Sequence, residues 1–362
     1  MQSEDLVPTS NRHRSPVIAV TGAAGGLGRA FLAHVASSAD FRRVVAIDEQ
    51  RGDVSDVTWR VIDVRDPLLA NRLSDIDVLV HLSAEYALDA DPAERRAYNL
   101  RAAQTVLTAS AAARVRRVVV VTSAMVYGAA PDNPVPLPED APVTAEPDTG
   151  IVGDYLEIEA LVRRSLRSHP GLEVTVVRPA AVVGPGIDTV VTRHFEAPRL
   201  LTVKGCDQYW QFCHIDDLVT ALELAALGTV TGTVVVGCDG WLEQEKVEEI
   251  SGLRRFELPA ALTFGTAQRL HRLGITPAPA TDLHYVVYPW VADGASLRAA
   301  GWKPAWTNEA ALEQLLELRE GKHAVVGRRL SGKEATITAA GATVAVIGTA
   351  AIVRRARRRR RL

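Results

Sequence analysis

Cysteine is scarce in this chain. The three present among 362 residues, Cys206, Cys213 and Cys238, are an odd number without the paired spacing of a zinc site. That excludes a disulfide framework, argues against a metal centre and fits a reducing cytoplasm. The segment MQSEDLVPTSNRHRSP has no apolar run of the kind a secretory signal needs and reads as a disordered lead over 1–16. No internal repeat is present. A net charge of −2 conceals an asymmetry, because seven of the last nine residues are arginine and the rest of the chain stands at −9. The folded part is therefore acidic, which excludes a general nucleic-acid binder, and the arginine tail over 354–362 is a separate electrostatic device.

The composition, 47% hydrophobic and 23% charged, is that of a soluble globular protein with a large core. Its most informative segment is TGAAGGLG, Thr21 to Gly28, which follows an apolar stretch and opens a helical pattern through Phe31, Leu32 and Val35. Gly22 permits the tight turn, Gly25 lets the backbone approach a pyrophosphate, and Gly28 lets the helix sit close to the strand. Twenty residues after Gly28, Asp48 closes the apolar run VVAID, where a carboxylate can bind the adenosine ribose hydroxyls. Strand, glycines, helix, strand and acid in this order predict a dinucleotide site. Asp48 and Glu49 would repel a 2′-phosphate, so the expected cofactor is NAD.

Further apolar runs at Val44 to Asp48, Trp59 to Asp63, Val78 to Leu82, Val115 to Ser123 and Val174 to Arg178 alternate with helical patterns. They predict βαβ units and an α/β fold, a Rossmann-type doubly wound parallel sheet over 17–185. Asp91 followed by Pro92 starts a crossover helix that runs to Ala113. The proline-rich stretch from Pro131 to Pro147 is an irregular loop expected to border a substrate cleft. Residues 186–320 read as a smaller substrate lobe interleaved with the first domain, and 321–334 as a basic linker. From Ala335 to Val353 there are nineteen residues without a charge, six of them Val or Ile and none Leu. As a helix they would span about 28 Å, close to a bilayer core. With the arginines beyond, they predict a C-terminal membrane-associating helix, either spanning the bilayer or lying against anionic lipid, an expectation that vesicle flotation with and without residues 331–362 would test.

With these elements placed, residues 17 to 320 resemble the extended short-chain dehydrogenase/reductase family, which holds nucleotide-sugar epimerases, dehydratases and related reductases. The resemblance rests on TGAAGGLG and Asp48, Asp63-Val64, HLSA at His81 to Ala84, and Asn99 in the long helix. It also includes VTSAMVYG at Val121 to Gly128, RPAAVVGPG at Arg178 to Gly186, and CHIDDL at Cys213 to Leu218. It implies that Gly26 and Leu27 give backbone contacts to the pyrophosphate, that Asp63 and Val64 border the adenine, and that Ser83, Ala84, Asn99 and Pro179 belong to the cofactor site. It implies too that Ser123 is the catalytic serine, that His214, Asp216 and Asp217 belong to a structural turn at the start of a helix, and that the chain forms a homodimer through helices near Ala102 and Glu159.

The family's Tyr-x-x-x-Lys pair is missing. One register gives Tyr155 with Glu159 in place of lysine; another gives Ile151 in place of tyrosine and Tyr155 in place of lysine. An unshifted phenol ionises to roughly one part in a thousand at pH 7, and a carboxylate beside it would lower that further. Tyr155 is thus expected to be a poor base. Ala181 stands where many nucleotide-sugar enzymes of the family carry asparagine. Two readings follow: an NAD-dependent oxidoreductase or epimerase/dehydratase using Ser123 and Tyr155 on a sugar nucleotide or an apolar alcohol or ketone, and a noncatalytic NAD-binding scaffold.

Overall fold

The computed structural model describes residues 15–329 apart from 89 and 273–279. The chain opens as β1 (Val17–Thr21), α1 (Gly26–Ala36), β2 (Arg43–Asp48), β3 (Thr58–Val61), β4 (Val78–His81), α2 (Pro92–Ala112), β5 (Arg117–Val121), α3 (Ile151–Ser168) and β6 (Glu173–Pro179). It continues as β7 (Ala181–Val183), α4 (Val190–Glu196), β8 (Leu200–Val203), β9 (Tyr209–Trp210), β10 (Phe212–His214), α5 (Ile215–Leu227), β11 (Thr233–Val236) and β12 (Leu242–Glu243). After these come α6 (Gln244–Ser251), β13 (Arg255–Leu258), α7 (Ala260–Arg272), α8 (His284–Val287), α9 (Ala295–Ala299) and α10 (Asn308–Arg329).

Seven parallel strands form the main sheet in the order β11-β6-β5-β4-β1-β2-β3. Both faces are covered, as the continuous apolar strands require. On one side Ile18 and Val20 meet Phe31 and Leu32 of α1 and Leu218 and Leu222 of α5. On the other, Val17 and Ala19 join Val106 and Leu107 of α2 and Ile158 and Val162 of α3. The order reverses between β1 and β4, so a crevice opens at their carboxyl ends. β11 pairs with β6 at the edge of the main sheet, and α5 packs against one of its faces. The second lobe has its own core around Phe195, Trp210, Phe212, Leu200 and Trp290.

Local chemistry sets the boundaries. Asp91 caps α2, its carboxylate accepting from Ala93 N at 2.9 Å and Glu94 N at 3.0 Å, with Pro92 in the first turn. β3 stops at Val61, short of the expected Asp63, because the Asp63 carboxylate accepts from Arg65 N at 2.8 Å and turns the chain. The loop from Pro131 to Pro147 does not border the main cleft, contrary to expectation. Leu137 bridges to Ala292, and the Glu139 carboxylate accepts from Val235 N at 2.8 Å and Ser296 N at 2.9 Å, which holds the loop against β11 and α9 instead. No described helix is long and apolar enough to cross a membrane; the stretch 335–353 and the arginine tail lie outside the described residues. Ala102 and Glu159, near which a dimer contact was expected, are both buried within the subunit.

Candidate active site

A cleft of about 700 Å³ lies over the carboxyl ends of β1, β2, β4, β5 and β6. The glycine turn forms its floor. Gly22 has φ +68°, and a Cβ there would fall 2.7 Å from the Leu82 carbonyl. At Gly28 a Cβ would sit 1.8 Å from the Gly22 oxygen, so no side chain is tolerated where α1 crosses the turn. Gly25 and Gly26 have open space above them and, with Leu27, line the cleft. No side chain caps α1, and its first turn holds no acid. Its free N–H groups and positive dipole end are therefore available to a diphosphate.

Asp48 closes β2 at the cleft edge, where its carboxylate accepts from Ala24 N at 3.0 Å and Gln50 N at 3.1 Å. Those bonds tie the glycine loop to β2 and fix the acid where a ribose would lie. Ser83, Ala84 and Pro179 also line the cleft. Three of the expected cofactor positions, Asp63, Val64 and Asn99, do not line the cleft. Asp63 is paired bidentately with Arg65, whose guanidinium lies 4.6 Å from the Tyr98 ring centre, and neither Asp63 nor the buried Val64 lines the cleft. Asn99 does not line it either. Its amide oxygen accepts from Glu85 N at 2.8 Å, and its NH₂ donates to Glu85 O at 3.1 Å and to Asp154 Oδ2 at 3.0 Å. Asn99 thus latches the loop after β4 onto α2 and α3.

Ser123, at the end of β5, lines the cleft, and its hydroxyl accepts from Met125 N at 3.2 Å while reaching Pro179 O at only 3.5 Å. The cap and the cleft-facing hydroxyl coexist in one residue. On α3 the residues facing the cleft one turn apart are Ile151 and Tyr155. Glu159 lies one turn further along, buried, accepting from Arg178 at 2.9 and 2.6 Å and from the Thr122 hydroxyl at 3.0 Å. This geometry fits the register with Ile151 in place of tyrosine. The leading cause of the Tyr155 shift is burial rather than a neighbouring carboxylate: its pKa is pushed well up by burial, with Tyr86 and Asp154 adding to it. No lysine precedes Lys204 in the sequence, so none on α3 could have lowered it.

Sequence reading missed Asp282, in a short 3₁₀ turn at Ala280–Leu283. It lines the cleft, is only 4% exposed, and its Oδ1 has no hydrogen-bond partner among the described residues. No motif surrounds it, and the lobe that carries it follows no simple periodicity. The four acidic side chains lining the cleft are Asp48, Glu85, Asp188 and Asp282, and no arginine, lysine or histidine lines it among the described residues. His214 is a structural cap for α5, as expected: its ring accepts from Asp216 N at 3.1 Å and stacks 3.6 Å from Trp306. His81 is buried against the Thr21 hydroxyl at 2.8 Å.

A parallel sheet with a glycine turn and an uncapped helix at its switch point, and an acid at the end of β2, is the architecture of a dinucleotide-binding protein. The chain belongs to the NAD dependent epimerase/dehydratase family, whose model matches residues 18–237, and its cofactor is NAD. An uncharacterised protein of Mycobacterium tuberculosis is 30% identical over 310 residues, covering 82% of each chain. A Stigmatella aurantiaca protein named 4-hydroxy-2-methyl-3-oxo-4-farnesyl-3,4-dihydroquinoline-1-oxide ketoreductase is 29% identical over 235 residues, 61% of this chain and 67% of that one. Among solved structures, Bordetella bronchiseptica WbmG in complex with NAD is 22% identical with a TM-score of 0.61, covering 88% of this chain and 97% of that one. The NAD-dependent NDP-hexosamine 5,6-dehydratase TunA is 20% identical with a TM-score of 0.63, covering 84% and 98%. These two share the fold.

Proposed function

We propose that this chain is an NAD-dependent oxidoreductase that interconverts a ketone and an alcohol on an uncharged, largely apolar substrate. The carrying observation is the charge of the cleft. A sugar nucleotide brings a second diphosphate, and no arginine, lysine or histidine lines the cleft among the described residues to pair with it, while the exposed Glu85 carboxylate does line it. Such a ligand would lose the pairing that makes its desolvation bearable. The lining also includes the apolar side chains of Met125, Ile151, Ile187, Val190, Val191 and Trp290. The farnesyl-quinoline ketoreductase named among the relatives supports the same reading.

Gly25, Gly26, Leu27 and the first turn of α1 would hold the diphosphate, and Asp48 the ribose. NAD supplies the hydride acceptor, or NADH the donor, for one carbon of the substrate. The chain's own part is to orient the oxygen on that carbon and to move its proton. The Ser123 hydroxyl, weakly engaged at Pro179, is free to turn and donate to that oxygen as charge grows on it. Tyr155 is a neutral phenol that can donate a hydrogen bond but cannot serve as a base near neutrality.

Purified full-length chain with NADH should oxidise the cofactor in the presence of prenylated or polycyclic ketones and leave UDP- and dTDP-linked keto-sugars untouched, read at the reduced nicotinamide absorbance. Turnover confined to the sugar nucleotides would overturn the reading. NADH binding without turnover on either class would favour the noncatalytic scaffold.

A further inference from the structure

We propose that Asp282 is the general acid and base of this site, standing in for the family's missing tyrosine–lysine pair. The proposal rests on the ketone/alcohol reading above and names the group that carries the proton.

The chemistry needs a group in the cleft that can hold a proton near neutral pH and has a lone pair or proton not already committed. Among the acids lining the cleft, three are committed or exposed. Asp48 accepts two backbone N–H groups, Asp188 is paired with Arg193 at 2.8 Å, and Glu85 is exposed with its carboxylate accepting from Ala87 N at 2.7 Å. Asp282 differs on every count. It is buried, it lines the cleft, and its Oδ1 has no partner among the described residues, an arrangement that is unfavourable for folding alone.

Its surroundings set it near neutrality. Burial raises its pKa to about 7, the Asp148 carboxylate ahead of α3 adds to the rise, and the Arg95 guanidinium of α2 opposes it. Arg95 is itself held by Asp154 Oδ2 at 2.9 Å and Thr149 O at 2.6 Å, so it tempers Asp282 without pairing with it. Asp148 is occupied by Gly150 N at 2.8 Å and by the Thr281 hydroxyl. The Tyr155 phenol on α3 and the Tyr285 phenol on α8 both feel the Asp282 charge, and both are held protonated, since each is pushed up by burial. Tyr155 therefore faces the same space as a neutral donor while Asp282 titrates.

In the reductive direction the protonated Asp282 carboxyl gives its proton to the substrate oxygen as C=O becomes C–OH. The hydride that completes the alcohol comes from the reduced cofactor, and the carboxylate left behind takes a proton from solvent. In the oxidative direction the Asp282 carboxylate accepts the hydroxyl proton. Reduction should therefore slow as pH rises above about 7, and oxidation should slow below it.

The test compares the full-length wild type with D282N, D282E and Y155F. Infrared difference spectra of the cofactor-free proteins should show a protonated carboxyl band below neutrality that fades as pH rises through about 7 and is missing from D282N. NADH binding should be unchanged in D282N. Its ketone reduction should fall at least about a hundredfold and lose its dependence on pH, with D282E restoring part of the rate on a displaced profile and Y155F keeping the wild-type profile. A carboxyl that ionises in the ordinary range near pH 4, or a D282N enzyme with wild-type rate and profile, would overturn the proposal. The infrared measurement needs no substrate, so a failed ketone panel would count against the apolar reading while the carboxyl titration still decides Asp282.

Discussion

At the scale of single residues, Glu159 shows how one position can be read in two chemistries. Placed beside Tyr155 in sequence, it suggests a carboxylate in a catalytic pair. In space it is 3% exposed and forms two hydrogen bonds with Arg178, whose guanidinium also lies 4.8 Å from the Tyr127 ring centre. A buried pair of this kind is a poor stabiliser relative to apolar packing, yet removing one partner leaves a charge in low dielectric. Glu159→Gln should therefore destabilise the fold by about 3–5 kcal/mol in urea unfolding. NAD affinity and the pH profile of turnover should stay unchanged, because the side chain is not in the cleft. A shifted pH profile in that variant would return Glu159 to the catalytic group.

At the scale of elements, what the sequence discloses depends on whether the interaction is local. The glycine turn, the Asp91-Pro92 start of α2 and the alternation of strands and helices are written within a few residues of one another, and each is found where the pattern placed it. Asp282 was not legible, since its meaning depends on Arg95 of α2 and Asp148 ahead of α3, more than a hundred residues earlier in the chain. The role of Asn99 was hidden for the same reason. It was expected in the cofactor site, and its side chain joins α2 to α3 and to the loop after β4. That loop supplies Ser83 to Leu88 to the cleft wall. Asn99→Ala would leave the Glu85 N–H and an Asp154 oxygen without this partner and free the loop, so NAD should bind about tenfold more weakly by calorimetric titration. Unchanged affinity would mean that the rest of the loop holds itself in place.

At the scale of the whole molecule, the buried titrating groups pull stability in opposite directions. His81 and His194 are both enclosed, His194 with neither ring nitrogen partnered among the described residues, and burial lowers each from 6.5 to about 4. Between those values the unfolded chain binds two protons that the native chain does not, so stability falls as pH drops from about 6.5 to about 4, by roughly 3 kcal/mol for each histidine. Asp282 acts against them. With its pKa raised from 3.8 to about 7, the native chain keeps a proton that the unfolded chain has released, and its contribution falls as pH rises across that interval. In the shared window two groups oppose one, and the wild type loses less on acidification than the histidines alone would impose. Replacing Asp282 by Asn removes only the opposing slope. The variant should match the wild type near pH 4, exceed it by up to about 4 kcal/mol at pH 8, and show the steeper fall on acidification between them. Urea midpoints from pH 4.5 to 8 would read this directly, and parallel curves for the two proteins would mean that Asp282 is ionised in the folded state throughout. A stability gain that accompanies loss of turnover would also explain why a buried carboxyl with an unpartnered Oδ1 is found in the cleft: a group that weakens the fold at neutral pH is retained where its proton is needed.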